Sequence, residues 1–145
     1  MALNFNKYAQ EGNEFLNKLA KDLGHPEEIG RAGIILRSVL HTLRDRITIS
    51  ESFNILSQLP MFLKAVYVEQ WKYHDRPETY RKLEDFKNEV KKHQEQFGEQ
   101  AFDWEMHTEE IIKTVLNRLK EDYINQGELE DIMSQLPEEL EELVK

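Results

Sequence analysis

The chain contains no cysteine at all. A disulfide framework, a thiolate metal site and a cysteine nucleophile are therefore excluded. The absence is typical of a reducing cytoplasm, and we expect a cytoplasmic protein. No apolar run approaches the roughly 20 residues of a membrane-spanning helix, and the first residues lack the charged and apolar regions of a signal peptide. We therefore expect neither secretion nor a membrane partner.

Motifs that define common active sites are also absent from the sequence. The six glycines are scattered, so they form no phosphate-binding loop. No serine lies in a Gly-x-Ser-x-Gly elbow, and neither His-Glu-x-x-His nor the Glu-x-x-His spacing of di-iron bundles occurs. These absences favour a protein that is not an enzyme, and we expect no cofactor.

Positive charge is scarce relative to negative charge, with 19 lysine and arginine residues against 28 aspartate and glutamate residues. The formal net charge of −9 repels the phosphates of nucleic acids, so no nucleic-acid partner is expected. Acidic residues are concentrated between Lys120 and Lys145. This acidic end is interpreted either as a solvated helix face or as a docking surface for a basic partner.

The sequence does contain an internal repeat. The segment Ser-Gln-Leu-Pro occurs at residues 57–60 and again at residues 134–137, an offset of 77. Upstream of it, the run Leu36–Arg44 matches Ile112–Lys120 at an offset of 76. One residue is gained between the two anchors, and a turn accepts such an insertion at low cost. The sequence therefore predicts a duplicated structural unit.

The turn before each copy has the same chemistry. Thr48 is followed three residues later by Glu51, and Asn125 is followed by Glu128. Each pair predicts a capping box, in which the first side chain accepts from a free amide and the glutamate reaches back to the cap. The proline that ends each copy then stops one helix and opens the next.

Apolar residues recur at helical spacing along the chain, and no segment alternates long enough to indicate a strand. The predicted fold class is all-α: one compact domain of 145 residues, built as a helical bundle of two tandem, related units of about four helices that pack with pseudo-twofold symmetry. The units are expected at residues 5–73 and 77–145. They meet at a joint where Asp75 caps the helix that Pro77 opens. Thr108 is expected to cap the sixth helix.

Several short motifs carry a resemblance to a known family. They are Glu14-Phe15-Leu16, Val39–Arg46, Gln58-Leu59-Pro60, Trp71, Asp85-Phe86, Gly127-Glu128-Leu129 and Gln135-Leu136-Pro137. In these motifs the chain resembles the bacterial domain of unknown function family 2267, whose members carry two units ending in Gln-Leu-Pro. The resemblance covers residues 14–144 and departs most at residues 91–107. It implies a small, soluble, all-helical bacterial protein, and it transfers no activity, ligand or catalytic residue.

A basic stripe repeats between the two units. Arg37, His41 and Arg44 lie on one helix face at i, i+4 and i+7. The matching residues of the second unit are Lys113, Asn117 and Lys120. One interpretation is a solvated face that pairs with nearby acids. The other is a pair of stripes that receive an acidic segment or an anionic ligand.

Aromatic residues cluster near the joint. Core packing is one interpretation, and a groove rimmed by Trp71 and Trp104 is the other, since partner sites favour such side chains. The candidate binding residues are therefore Arg37, His41, Arg44, Trp71, Trp104, Lys113 and Lys120.

An alternative site uses histidine. Glu89 and His93 share a helix face at i, i+4, as Asp103 and His107 would if their segment were helical. Two carboxylate–histidine pairs could bind a divalent metal, although exposed histidines on polar faces are the simpler interpretation.

The sequence thus favours an uncharacterised, non-enzymatic protein-interaction or regulatory module, with a protein partner or a second copy of the chain. The alternative is a metal- or small-molecule-binding sensor or enzyme that uses these four residues.

Overall fold

The computed structural model describes residues 3–72, 82–99 and 101–140. The described chain is all-helical, as predicted, and contains no strand. The helices are α1 Phe5–Asp22, α2 Ile29–Arg44, α3 Ile49–Gln58, α4 Met61–Val68, α5 Leu83–Phe97, α6 Thr108–Asp122, α7 Gln126–Met133 and α8, which begins at residue 138. Within the described ranges, every helix is too short or too polar to cross a membrane.

The predicted joint, with the Asp75 cap and the helix start at Pro77, lies outside the described residues. The last five residues of the second predicted unit also lie outside them. The division of the chain into two units related by a pseudo-twofold axis stays a prediction.

Helix α2 is central because it packs against α1, α4, α5 and α6, most extensively against α5. Ten of its 16 residues are buried. The predicted apolar stripe lies among them, with Val39 and Leu43 at 0% and 1% exposure. Burying one such side chain contributes roughly 1.5–3 kcal/mol, so this stripe is a main source of stability.

Two of the predicted helix starts are confirmed. Thr48 accepts a hydrogen bond from the amide of Glu51 at 3.2 Å, and Asn125 accepts from the amide of Glu128 at 2.8 Å. The predicted cap at Thr108 is wrong, because His107 is the N-cap residue of α6 and makes no side-chain capping bond. Helix α6 nevertheless starts as expected, since acidic residues in its first turn suit the positive end of the helix dipole.

In both turns a glutamine, and not the glutamate of the predicted capping box, accepts the hydrogen bond from the amide of the N-cap residue. The amide of Thr48 donates to Gln135 Oε1 at 2.9 Å, and the amide of Asn125 donates to Gln58 Oε1 at 3.0 Å. These glutamines hold the same position in the two Ser-Gln-Leu-Pro segments. Each segment therefore completes the cap of a helix from the other half of the chain, and the two bonds join α3 to α7.

The connection between α5 and α6 is held against the start of α2 by Arg31. Its guanidinium donates to Glu28 at 2.9 Å, to Glu99 at 3.0 Å and to Asp103 at 2.6 Å. It also lies 5.1 Å from the centre of the Phe102 ring. One cation therefore ties Glu99 and Asp103 to the start of α2.

Candidate functional site

The inner part of the predicted basic stripe lies at the C-terminal end of α4. His41 and Arg44 are only 1% and 7% exposed. The Arg44 guanidinium donates to the carbonyls of Tyr67 at 2.7 Å and Glu69 at 2.6 Å. These carbonyls lie where a helix runs out of its own amide donors and carries partial negative charge. Arg44 therefore stabilises the end of α4.

His41 acts in the same way. Its Nε2 lies 2.8 Å from the carbonyl oxygen of Val66, so Nε2 carries the proton and donates. Burial is the main cause that lowers the pKa of His41 to about 4, and the nearby positive charge of Arg44 lowers it further. The ring is therefore neutral near pH 7.

A polar pocket of about 190 Å³ opens beside these two residues, between α2, α5 and the chain that follows α4. It is lined by His41, Arg44, Asp45, Gln70, Lys72, His93 and Gln96. The pocket brings His93, a predicted metal ligand, next to two predicted binding residues. Gln96 donates to Gln70 Oε1 at 3.3 Å across it.

Asp45 balances the charge of the pocket. Its carboxylate lies 3.6 Å from Arg44 Nε and 3.7 Å from His93 Nε2. Burial alone would raise the pKa of the Asp45 carboxyl, but the nearby His93 imidazole and the charge of Arg44 together outweigh it. The pKa is therefore lowered, and Asp45 is ionised.

Gln70 enters the pocket with an unusual backbone. Its φ of 57° lies in the left-handed region, which residues with a Cβ seldom adopt. Strained residues of this kind often lie at binding sites, where the surrounding structure holds them in place. Nothing in the sequence marked this residue, because a turn directly after α4 was not predicted.

The outer part of the stripe is bound differently. Arg37 is 42% exposed and donates to Glu69 Oε2 at 2.6 Å, with its guanidinium 4.9 Å from the centre of the Phe97 ring. In the second unit, Lys113 is exposed, and Asn117 and Lys120 are half-buried. The two sets share their spacing but differ in burial.

The two tryptophans of the predicted groove lie in different surroundings. Trp71 meets the ring of Tyr67 edge to face at 5.6 Å. Trp104 stacks on His25 at 4.2 Å, and its indole nitrogen donates to Glu28 at 3.0 Å. A groove between the two tryptophans stays a prediction, because the chain at residues 73–81 lies outside the described part.

The four residues of the alternative metal site do not form one cluster in the described chain. Glu89 Oε2 lies 3.9 Å from His93 Nε2. Asp103 pairs with Arg31, and both Asp103 and His107 precede α6, so their helical i, i+4 spacing is not formed. Within the described chain, clusters of three or more metal-ligating groups occur elsewhere. They are His25 with Glu27 and Glu28, and Glu51 with Glu128 and Asp131.

An apolar groove of about 460 Å³ lies between α3 and α4. Its walls are Phe53, Leu56, Ser57, Met61, Lys64, Ala65 and Val68. Three of these residues are large and exposed, with Phe53 at 64%, Met61 at 51% and Val68 at 45%. Large apolar side chains that cluster at a surface are typical of a site that contacts another molecule.

The apolar surface continues across α4. A second groove of about 350 Å³ lies between α1 and α4 and shares Ala65 with the first. Gly12 of α1 lines this groove beside Phe62, and a Cβ at Gly12 would make an ordinary 3.5 Å contact with that ring. At the other end, Val68 closes the apolar groove and Gln70 lines the polar pocket. Two residues span roughly 7 Å at most, so the backbone that borders the groove is close to the backbone that borders the pocket.

The sequence contained one signal for the apolar groove. Ser52 and Ile55 are the buried residues of α3 and mark the face that packs against the rest of the protein. Phe53 lies beside that face and is exposed. Helix α3 therefore carries more apolar surface than one face can bury. No comparable signal marked Lys72 or Gln96 as parts of the polar pocket.

Comparison with known families gives one match. The model of a family described as an uncharacterized conserved protein (DUF2267) matches residues 12–143. No curated protein matches the chain.

Proposed function

We propose that this chain, which belongs to the uncharacterized conserved protein family DUF2267, acts as a non-enzymatic protein-interaction module. The family description names no activity, so the proposal rests on the surface of the molecule. The observation that carries it is the exposure of Phe53, Met61 and Val68 around one groove. Bacterial origin, a cytoplasmic location and a regulatory role remain predictions.

The groove suits an amphipathic helix. It runs between two helices and presents apolar side chains from both, which is the arrangement that receives the apolar stripe of a partner helix. Phe and Met are enriched at such surfaces, and Phe53 and Met61 can act as anchors because each buries a large apolar area.

Charge selects an acidic partner helix. Lys64 is a wall of the apolar groove, and Lys72 lies at the mouth of the adjoining polar pocket. The carboxylate of that pocket, Asp45, is already engaged by Arg44 and His93. A partner with an acidic residue beyond its apolar stripe would therefore meet cationic and amide donors at this end, which favours correct register.

The test uses two designed helical peptides with the same leucine stripe, one carrying glutamates and the other lysines beyond the stripe. Fluorescence anisotropy measures the affinity of each. We expect the acidic peptide to bind and the basic one to bind at least tenfold more weakly. Met61→Asp should weaken binding of the acidic peptide by about tenfold or more, and Lys72→Glu by about threefold.

Lys92→Glu is the matched control, because this lysine is 77% exposed on α5 and lines neither surface. It should leave the affinity unchanged. Substitutions of Arg44 are unsuitable, since this buried side chain holds the end of α4. Equal binding of both peptides, or full binding by Met61→Asp, would contradict the proposal. A dimer of the wild-type chain that Met61→Asp dissociates would assign the groove to a second copy instead.

A small-molecule sensor is the second candidate, and the polar pocket is the observation that favours it. The pocket combines a buried arginine, two histidines and the strained Gln70. Groups with perturbed pKa values in a cavity are typical of ligand sites. Native mass spectrometry of the purified protein should then show an extra mass that His93→Ala removes. A bare mass for the wild type would favour the interaction module.

A further inference from the structure

The carboxylate of the polar pocket keeps its lone pairs available. Arg44 Nε lies 3.6 Å from one oxygen of Asp45, and His93 Nε2 lies 3.7 Å from the other. A hydrogen bond from nitrogen to oxygen needs about 2.7–3.2 Å. Both distances exceed that range, so neither nitrogen occupies a lone pair of the carboxylate. The two oxygens of Asp45 can therefore accept hydrogen bonds from another molecule.

The two nitrogens lie on the inner side of this carboxylate. Arg44 Nε and His93 Nε2 are out of contact with solvent and have no hydrogen-bond partner in the described part of the chain. By contrast, 27% of the Asp45 side chain is exposed. A ligand can therefore reach Asp45 from the pocket without displacing Arg44 or His93.

Two amides and an ammonium group form the mouth of the pocket. Gln70, Lys72 and Gln96 are all exposed there. Gln96 donates to Gln70 Oε1 at 3.3 Å. That bond leaves the NH2 group of Gln70 able to donate and the oxygen of Gln96 able to accept. The mouth therefore offers both donors and acceptors above the carboxylate.

The charges of the walls favour a neutral ligand. Asp45 repels an anion from the floor of the pocket, whereas Arg44 and Lys72 repel a metal cation. The ligand must also donate to a carboxylate and exchange hydrogen bonds with amides. A hydroxyl group does both, since it carries one donor and two acceptor lone pairs. The volume of about 190 Å³ suits a small polyhydroxyl molecule.

We propose that the polar pocket binds a small carbohydrate or related polyol through a vicinal diol, two hydroxyls on neighbouring carbons, on Asp45. These hydroxyls donate side by side to the two oxygens of the carboxylate, as the paired N–H groups of a guanidinium do. Gln70 and Gln96 bond the remaining hydroxyls. Arg44 and His93 are positioning residues that hold Asp45 from behind. This diol site rests on the second candidate function, the small-molecule sensor.

The test is an NMR titration of the isotopically labelled chain, which follows the backbone amides and the side-chain amides of glutamine. The probes are D-ribose, D-glucose and myo-inositol. We expect at least one of them to bind and to shift the side-chain amides of Gln70 and Gln96. Two isomers then test the spacing of the hydroxyls. cis-1,2-Cyclohexanediol should bind at least about threefold more tightly than cis-1,3-cyclohexanediol, because only the former is a vicinal diol.

Variants of the pocket test the residues. Asp45→Asn removes one acceptor oxygen and the charge, so the affinity for the bound polyol should fall by about tenfold or more. Gln96→Ala, at the exposed mouth, should weaken binding by about threefold, which keeps the test valid if Asp45→Asn fails to fold. Asp85→Asn is the matched control, because Asp85 is exposed on α5 and does not line the pocket. It should leave the affinity unchanged.

An absence of shifts with all three polyols, equal binding of the two cyclohexanediols, or full binding by Asp45→Asn would overturn the diol site. Displacement of the polyol by millimolar phosphate or acetate would assign the pocket to an anion instead. Tighter binding of maltose than of D-glucose would support the site and identify the end of a longer carbohydrate as the source of the diol.

The diol site and the proposed functions can fail separately. Met61→Asp, which tests the apolar groove, should leave polyol binding unchanged, because Met61 does not line the polar pocket. Native mass spectrometry tests the sensor without any added probe. An extra mass that is not a polyol, together with a silent polyol titration, would retain the sensor and overturn the diol site alone.

Discussion

Buried charge occurs in two regions of this molecule with opposite arrangements. In the polar pocket, Arg44 lies beside Asp45 and two backbone carbonyls, so positive charge meets negative charge. At the contact of α3 with α7, Glu51 faces Glu128, so like charges meet. Complementary charges hold one geometry over a wide pH range, whereas like charges hold it only while a proton remains between them. The geometry of the first region is therefore insensitive to pH over a wide range, whereas that of the second depends on pH.

The two regions also respond to pH in opposite directions. His41 has a pKa lowered from 6.5 to about 4, so the folded state binds fewer protons than the unfolded chain between these values. Its contribution to stability is complete above pH 6.5 and is lost as the pH falls toward 4. Glu128 has a pKa raised from 4.5 to about 7. The cost to stability of ionising Glu128 in the folded state is therefore absent below pH 4.5 and complete above about pH 7. Between pH 4.5 and 6.5, a rise in pH therefore increases stability through His41 and decreases it through Glu128.

Removal of Arg44 should have the largest effect. Arg44→Ala leaves two carbonyls at the end of α4 and the Asp45 carboxylate without their buried partner. We expect the free energy of unfolding to fall by about 3–5 kcal/mol, measured by urea denaturation. Lys120→Ala, at the matching position of the second copy, is half-buried and should cost less than about 1 kcal/mol. Equal losses would show that the two stripes are equally structural.

The opposed pH slopes give the next prediction. His41→Asn introduces the residue found at position 117 and removes the titrating ring, so stability should only fall as the pH rises from 4.5 to about 7. Glu128→Gln leaves the His41 slope, so stability should only rise over pH 4 to 6.5, by about 3 kcal/mol in total. The wild type should be nearly flat between them. Urea denaturation at several pH values measures all three, and parallel profiles would contradict the comparison.

The smallest expected effect concerns the glutamines that join α3 to α7. Gln58→Ala and Gln135→Ala each remove one bond to a cap amide. Each should cost about 1 kcal/mol in thermal or urea unfolding, as for a single neutral hydrogen bond. The loss should be similar for the two variants, because the bonds are matched in length at 3.0 and 2.9 Å. A loss confined to one variant would mean that only one of the two turns depends on the other.

Helix spacing and cap chemistry predict most of the fold because they are local. The apolar stripe of α2 and the caps at Thr48 and Asn125 follow from the spacing of nearby residues. The return bonds of the capping boxes were not predictable. Whether Glu51 or a distant glutamine reaches the Thr48 amide depends on which segment packs there, and sequence spacing does not encode that contact.

The candidate sites show the same limit. Arg37, His41 and Arg44 share a helix face, and this much the spacing predicts. Their burial depends on the end of α4, which lies over that face in the fold. The apolar groove arises because α3 and α4 meet with Phe53 and Met61 outside the contact. The polar pocket therefore depends on packing between helices that are separated along the chain, and the apolar groove on the angle between two consecutive helices.

The backbone of Gln70 has a consequence for engineering this protein. A left-handed conformation costs a residue with a Cβ about 1–2 kcal/mol, and glycine would remove that cost. Glycine would also remove the side chain that accepts from Gln96 and lines the polar pocket. A search for thermostable variants would thus select Gln70→Gly early, and the selected protein would have lost part of its pocket. At Gln70, a substitution that stabilises the backbone would therefore remove a side chain that the pocket uses.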